Sequence, residues 1–327
     1  MTEPPLVSVV IPVHNEGRTL CACLASLFAQ DHQPIELILI NDGSTDDTAA
    51  ILASYGERIQ VLTTPGVGPS QGRNLGVARA TGEYVAFTDG DCVCDPGWIR
   101  ELLRGFDGHP EVVGVGGSQH TPPDDSPYGK QVGAFLRAFG FASEYIRAGE
   151  QKDIVEVKHN PTCNVLYRRM VFDRVAGFLK WLWPGEDVEF DRRVRRSGFR
   201  LMYNAGAIVH HHRPDTPAKF RRMMRRYGEA QGILVRMYGP FRTIQFMPVA
   251  LVAGLTLAGT MALVPPLFLA VGLLAVAGGA LLLRRRTPDT RTALACAAML
   301  GPALWEWNRG YLMGLRQGAG QRSRATV

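Results

Sequence analysis

Apolar and polar positions change period repeatedly along the first hundred residues. Leu6–Pro12 (LVSVVIP) is an unbroken apolar, β-branched run, the pattern of a buried strand. Glu16–Gln30 places Leu20, Leu24 and Leu27 at helical spacing. Glu36–Ile40 (ELILI) predicts a second strand. NDGSTDDT then turns into a helix that Ser44 or Thr45 can cap, with Asp46 and Asp47 at its positive end. Gln60–Leu62 is a short third strand, Asn74–Ala80 is helical, and Glu83–Thr88 is a fourth strand. Strand and helix alternate, which predicts an α/β domain with a largely parallel sheet. Ligands of such sheets bind beyond the carboxyl ends of the strands. His14, Asp42 and Asp89 all fall just past strand ends, so one crevice can serve all three.

From 98 to 203 the pattern is mixed. Val112–Val115 predicts a strand, Gln131–Arg147 a helix, and Asp187–Gly198 a helix with a glycine stop; Phe199–Tyr203 and Ala207–Val209 read as two short strands. The character then shifts. Ala218–Tyr238 interleaves Lys219, Arg221, Arg222, Arg225, Arg226 and Arg236 with apolar and aromatic residues, as a basic amphipathic helix at a membrane surface does. Met247–Val264 and Leu267–Leu283 are apolar and uncharged on either side of Pro265-Pro266. Each is near the lower limit of a spanning helix, roughly 17–25 residues, so together they predict a transmembrane hairpin. Its outer flanks carry Arg242 and Arg284–Arg286, which places both ends on the cytoplasmic side. Ala293–Leu315 is a weaker third segment, on which Glu306 and Arg309 can pair. The predicted organisation is a catalytic domain over 1–213, with halves 1–97 and 98–213. A basic interface helix over 214–245, the hairpin over 246–283 and a tail over 284–327 follow.

Composition sharpens this. At 46% apolar and 20% charged, the chain has the material for a core and is not of the disordered kind. Its formal net charge of +6 is concentrated late in the chain, beside the apolar stretch. Anionic headgroups or a lipid phosphate therefore suit it better than nucleic acid. The six cysteines lack paired C-x-x-C spacing, which argues against a zinc ribbon. MTEPPLVSVVIP has neither a basic n-region nor a long apolar h-region, so the catalytic domain is expected in the cytoplasm, held at the inner membrane.

FTDGDC, 87–92, carries the chemistry of most interest. Asp89 and Asp91 alternate so as to point the same way from extended backbone, and Gly90 admits another group closely. Mg²⁺ or Mn²⁺ is often held by one or two carboxylates with substrate phosphates and water. Alone, a D-x-D stretch reads more readily as a turn than as a metal site.

Its setting resembles a family. VSVVIPVHNE, NDGSTDDT at 41–48, GRNLGVARATGEYVAFTDGDC at 72–92 and GEDVEFDRRVRRSGFRL at 185–201 come in the order seen in glycosyltransferase family 2. These are inverting enzymes of the GT-A fold, and the resemblance covers about residues 6–240. It implies that Pro12, His14 and Glu16 lie on the nucleotide side, that Asp42 hydrogen-bonds the base, and that Arg73 stands near the nucleotide. His14 replaces the commoner tyrosine. Asp89 and Asp91 match the D-x-D, with Asp91 the direct metal ligand, and Asp187 of the Glu186–Asp187 pair matches the general base. Cys163 and Asn164, with Thr162, match the acceptor-side segment. Trp181 and Trp183 either stack on sugars or pack in the core. Of the histidines 210–212, the resemblance makes one a further metal or diphosphate ligand. His210 and His212 share a strand face, and His210 is the preferred candidate.

Arg226-Tyr227-Gly228 resembles the Q-x-x-R-W region of membrane polysaccharide synthases, but Met223 and Tyr227 replace its Gln and Trp. The expectation is transfer of one sugar from a UDP-sugar to a hydroxyl of a lipid-linked oligosaccharide or similar acceptor, as in exopolysaccharide synthesis of the succinoglycan type. Two readings compete: a polyprenyl-phosphate sugar synthase, and a non-catalytic scaffold of an assembly complex. A nucleotidyltransferase is disfavoured because no G-x-G-x-R loop is present. Nothing in the pattern sets an oligomeric state.

Overall fold

The computed structural model describes residues 3–139, 153–261, 281 and 283–317. They form two compact units, one of Met1–Asp124 and Ala142–His212, the other of Asp125–Phe141 and Arg213–Val327. Residues 125–141, read above with the acceptor half, belong to the second unit.

The first unit is built on a nine-stranded sheet. Strands β1 (Val7–Val13), β2 (Ile35–Asp42), β3 (Gln60–Thr64) and β4 (Tyr84–Phe87) lie in the order β3-β2-β1-β4, all parallel. The order continues through β8 (Val165–Arg168), β6 (Val112–His120), β9 (Arg200–His211) and β5 (Cys92–Cys94), with β7 (Val155–Val157) also on β9. Beyond β4 only β6–β9 is parallel, while β4–β8, β6–β8, β5–β9 and β7–β9 are antiparallel. The sheet is therefore mixed, and the expected largely parallel character holds only for its first half.

Helices α1 (Leu20–Phe28), α2 (Thr48–Ser54), α3 (Pro69–Arg79), α4 (Trp98–Arg104), α6 (Met170–Val175) and α7 (Glu186–Arg196) belong to this unit; α5 (Pro127–Phe139) belongs to the other. One cluster packs Leu20, Leu24 and Leu27 with Val9, Ile11 and Trp98. Another packs Phe87, Tyr167, Phe172, Phe178 and Phe190, so the alternating strand positions feed two cores. Neither Ser44 nor Thr45 caps α2, which starts at Thr48. Asn15 Oδ1 instead accepts from the Thr45 and Asp46 amides, at 2.8 and 3.3 Å, and holds that turn.

In the second unit, α5, α8 (Pro217–Tyr238), α9 (Met247–Met261) and α10 (Thr290–Gln317) are described. Thr216 caps α8 by accepting from the Lys219 amide at 3.3 Å. Phe135, Phe220, Met224, Cys296 and Trp307 form its core. The predicted helix 131–147 is described only to Phe139, and residues 262–280 of the predicted hairpin lie outside the described residues. Among the described residues, no helix is long and apolar enough to cross a membrane. That includes α10, whose buried face carries Ala293, Cys296, Ala303 and Trp307.

Candidate active site

Arg73 draws the site together. Helix α3 lies close on β1 because position 76 is glycine: a Cβ there would sit 2.2 Å from Val10 Cγ1. One turn earlier, Arg73 enters the interior at 4% exposure. Its guanidinium donates to Asp89 Oδ1 at 3.0 Å and to Glu186 Oε1 at 2.7 Å. A buried guanidinium needs such partners, and its planar fork can serve two carboxylates at once. Two motifs almost a hundred residues apart thus meet on one side chain. Burial, and then the neighbouring Asp187 carboxylate, push Glu186 up to about 7 against the pull of Arg73.

The D-G-D turn follows β4. At Gly90 a Cβ would stand 3.0 Å from Val13 Cγ1 and 3.2 Å from Glu16 Cγ, so the turn lies close against the end of β1 and a side chain there would press on both. Asp89 faces Arg73, whereas Asp91 Oδ1 lies 3.4 Å from His211 Nε2. The charge of His211 holds Asp91 below the usual carboxylate range, although burial pushes the other way. Glu16 is pushed up to about 7 by burial and by Asp91 beside it, and it accepts from Thr19 Oγ1 at 3.2 Å.

His210 is not the histidine that the fold brings to Asp91. β5 pairs with β9 so that Cys92 faces His211 and Val93 faces His210. Neighbouring residues of a strand point to opposite faces. His211 therefore joins Asp91, and His210 Nε2 lies 3.0 Å from Asp95 Oδ1. The sequence signal was the H-H-H run; the register that selects among its members is tertiary.

Asp187 opens α7. Its Oδ2 stands 3.7 Å from His159 Nε2, and His159 Nδ1 lies 3.1 Å from Asp191 Oδ2. The fully buried Asp191 also accepts from Tyr167 Oη at 2.6 Å and from the Asn160 amide at 2.7 Å. A carboxylate at the helix start is thus backed by an imidazole that a second, buried carboxylate orients. His159 was not singled out in the sequence: a histidine in HNPTCN has no spacing that ties it to residue 187.

The remaining candidates take several kinds of place. Pro12 lies in β1 opposite Ile40. His14 Nδ1 is 2.8 Å from the Asp42 carbonyl oxygen. Asp42 Oδ1 accepts from Thr64 Oγ1 and the Gly66 and Val67 amides, and Oδ2 from the Gly68 amide at 2.7 Å. Those bonds outweigh burial and hold its carboxyl below the usual range. They also shape the loop entering α3, where Gly66 and Gly68 take φ of +96° and +84°.

Asn164 is fully buried and accepts from Trp98 Nε1 at 2.8 Å. It donates to the Ser118 and Ala207 carbonyls at 2.8 and 2.9 Å. It braces the wall from within. Cys163 is buried, and the neighbouring Cys92 and His211 side chains draw its thiol down to about 6. Trp181 and Trp183 are both exposed, outside the cores, on the segment leading to α7.

Asp91 and His211 supply a carboxylate oxygen and an imidazole nitrogen on a solvent-accessible edge, a set that fits Mg²⁺ or Mn²⁺. Cys92 Sγ lies within 4.8 Å of both ligand atoms.

Fold and site together define a GT-A-like α/β protein. The chain aligns with the mannosyltransferase PcManGT from Pyrobaculum calidifontis, in complex with GDP-Man and Mn²⁺, at TM-score 0.56 and 18% identity over 96% of this chain and 86% of that one. It also aligns with GalNAc-T7 bound to UDP, GalNAc and Mn²⁺, at TM-score 0.52 and 14% identity over 74% of this chain and 52% of that one. The chain belongs to glycosyl transferase family 2, whose pattern matches residues 8–176. The uncharacterized glycosyltransferase YibD of Escherichia coli (strain K12) is 42% identical over 106 residues, 32% of this chain and 31% of that protein. GlyG of Streptococcus pneumoniae serotype 4 is 36% identical over 103 residues, 30% of this chain and 34% of that protein. These two matches thus span about a third of each relative's length. A glucosyl-dolichyl phosphate glucuronosyltransferase of Haloferax volcanii is 26% identical over 218 residues, 63% of this chain and 68% of that protein.

Proposed function

We propose that the chain is a metal-dependent, inverting glycosyltransferase. It would move one sugar from a nucleotide-sugar, a UDP-sugar in our reading, to a hydroxyl of a lipid-linked oligosaccharide or similar acceptor in cell-surface polysaccharide assembly. The observation that carries this is the double ion pair of Arg73 with Asp89 and Glu186. It ties the D-G-D turn and the start of α7 to one guanidinium. Inversion by in-line attack calls on both: a base for the acceptor hydroxyl and positive charge behind the leaving diphosphate.

In this reading Asp187 takes the proton of the attacking hydroxyl. His159, steadied by Asp191, faces the carboxylate as it becomes neutral. Asp91 and His211 would hold Mg²⁺ or Mn²⁺, and the bound ion would supply charge to the departing diphosphate. Asp42 keeps the loop at the base-binding edge in shape, and His14 and Pro12 line that edge. Trp183, exposed ahead of α7, offers an aromatic face to an acceptor sugar. Cys163 and Asn164 shape the wall.

The second unit supports a membrane role at the inner, cytoplasmic face. Phe246, Val249 and Val252 of the α9 region and Leu294, Trp305 and Leu312 of α10 are all more than half exposed. Large apolar side chains at such exposure beside a basic helix suit an interface with lipid, and the apolar stretch 247–283 would deepen the anchorage. Lipid-linked acceptors would then reach the site by diffusion in two dimensions.

The test is UDP release from a panel of UDP-sugars by the detergent-purified chain, with Mn²⁺ or Mg²⁺ against chelator and a lipid extract as acceptor source. Release that needs metal, is confined to one sugar and is lost in Asp91→Asn is the expected result. No release from any UDP-sugar would overturn the donor assignment.

A further inference from the structure

Helix α3 does more than deliver Arg73. Ser70, Arg73 and Asn74 share one face of that helix, and all three reach the segment that leads into α7. Ser70, 1% exposed, donates its hydroxyl to the Leu182 carbonyl. Asn74 holds both backbone groups of Phe178. Its Nδ2 donates to the carbonyl at 2.8 Å, and its Oδ1 accepts from the amide at 2.9 Å. From α7, Arg193 donates to the Val175 carbonyl and, at 2.7 Å, to that of Gly177. Gly177 has φ of +62°, and a Cβ there would stand 2.7 Å from Asn74 Oδ1. Glycine at this position suits both the left-handed backbone and its close approach to the amide.

The segment between α6 and α7 has neither helix nor strand, yet side chains of both flanking elements fix its backbone. Its own side chains divide. Phe178 and Leu182 enter the core at 2% and 0% exposure. Phe178 packs on Phe87 and Phe190, with ring centroids 5.6 and 4.6 Å apart. Trp181 and Trp183, on either side of Leu182, stay 41% and 45% exposed, although tryptophan is a residue that folded proteins largely bury. With Leu182 held inward, its two neighbours turn outward. A backbone already fixed loses little further freedom when a ligand settles on them. The π face of an indole suits the C–H face of a pyranose ring, and Trp183 stands four residues before Asp187.

We propose that Ser70 and Asn74 are positioning residues for saccharide recognition: they hold the 178–182 backbone so that Trp181 and Trp183 form one stacking surface for two successive sugars. A bare lipid phosphate has no apolar ring face to lay on such a surface, so the acceptor it fits is an oligosaccharide. Service as an acceptor surface rests on the glycosyl-transfer reading, while saccharide binding itself does not.

The probe is the oligosaccharide pool released by mild acid from the lipid extract, titrated into the full chain without nucleotide and followed by tryptophan fluorescence. A saturable change is expected, and monosaccharides from complete hydrolysis of the same pool should bind at least about tenfold more weakly. Trp181→Ala and Trp183→Ala, at exposed positions, should each weaken binding by about three- to tenfold. Asn74→Ala and Ser70→Ala should weaken it by about the same factor, and Ser70→Thr, which keeps the hydroxyl, should bind as wild type does. In turnover, Asn74→Ala should raise the acceptor KM severalfold and leave the donor KM within about twofold, a split that general loosening of the fold does not give. An unchanged wild-type fluorescence overturns the proposal, even if the Ser70 and Asn74 variants do not fold. Wild-type affinity in both tryptophan variants, or in folded Asn74→Ala and Ser70→Ala, overturns it as well. Absent saccharide binding in protein that still releases UDP would remove this inference and leave glycosyl transfer standing. Saccharide binding in protein that releases UDP from no UDP-sugar would do the reverse.

Discussion

Asp187 and His159 are the side chains whose separation can be put to kinetics most directly. If Asp187 removes the acceptor proton, Asp187→Asn should lower kcat by about 10²–10⁴-fold with little change in donor KM. A phosphate acceptor needs no base, so unimpaired transfer in that variant would favour a polyprenyl-phosphate sugar synthase. His159→Gln should lower kcat by about tenfold and move the acid limb of the pH–rate profile, because its imidazole stands 3.7 Å from that carboxylate. A profile of unchanged shape would mark His159 as purely structural. Glu16 gives a stability prediction. Its folded-state pKa is raised to about 7 from 4.5, so the folded state keeps a proton that the unfolded chain has lost. Its contribution therefore falls as pH rises from 4.5 to about 7 and is flat above that. In chelator, Glu16→Gln should be more stable than wild type at pH 8, by about 1–2 kcal/mol after solvent screening, and equal to it below pH 4.5. Urea denaturation at the two pH values checks this. Asp89, Asp91, Glu186 and Asp187 were legible because they sit in quotable motifs. His159 was not, and His211 was visible only as one member of the H-H-H run, since each acquires its partner through pairing and packing rather than spacing.

Helices and strands show the same division. Periodicity alone predicts two strands here, Phe199–Tyr203 and Ala207–Val209, broken near Asn204. The structure has one strand, Arg200–His211, with an irregularity at that place. Asn204 stabilises it by donating to the Glu101 carbonyl at 2.7 Å and accepting from the Gly206 amide at 2.9 Å. The polar interruption was thus a bulge within a strand, a distinction that periodicity cannot draw. In the second unit, α8 and α10 approach through two glycine pairs, Gly228 with Gly232 and Gly310 with Gly314. A Cβ at Gly310 would lie 1.9 Å from the Arg225 carbonyl oxygen, and one at Gly314 would lie 2.2 Å from that of Glu229. The two positions advance together on both helices, so the helices run in the same direction. Small residues four apart allow such close packing. Gly310→Leu should destabilise the second unit by at least about 1–3 kcal/mol, read as a loss of thermal transition amplitude or midpoint by circular dichroism. An unchanged melt would show that the helices can separate at little cost.

The chain as a whole combines a catalytic-type unit with one rich in exposed apolar and basic side chains. Flotation with vesicles of anionic phospholipid should carry the full chain upward, and vesicles of neutral lipid less so. Replacing Trp305 and Leu312, exposed at 71% and 52%, by serine should lower the floated fraction severalfold. No flotation on either lipid would overturn the interfacial role. Local chemistry along the chain was enough to establish the strand–helix alternation, the acid-bearing strand ends, and the basic and apolar C-terminal character. Each of these depends on side-chain period and composition within a few residues. What required the folded chain was the antiparallel second half of the sheet, the meeting of Asp89 and Glu186 on Arg73, the choice of His211 over His210, and the support of Asp187 by His159. Those depend on strand order and register between distant segments, and a register shift of one residue exchanges one histidine for its neighbour.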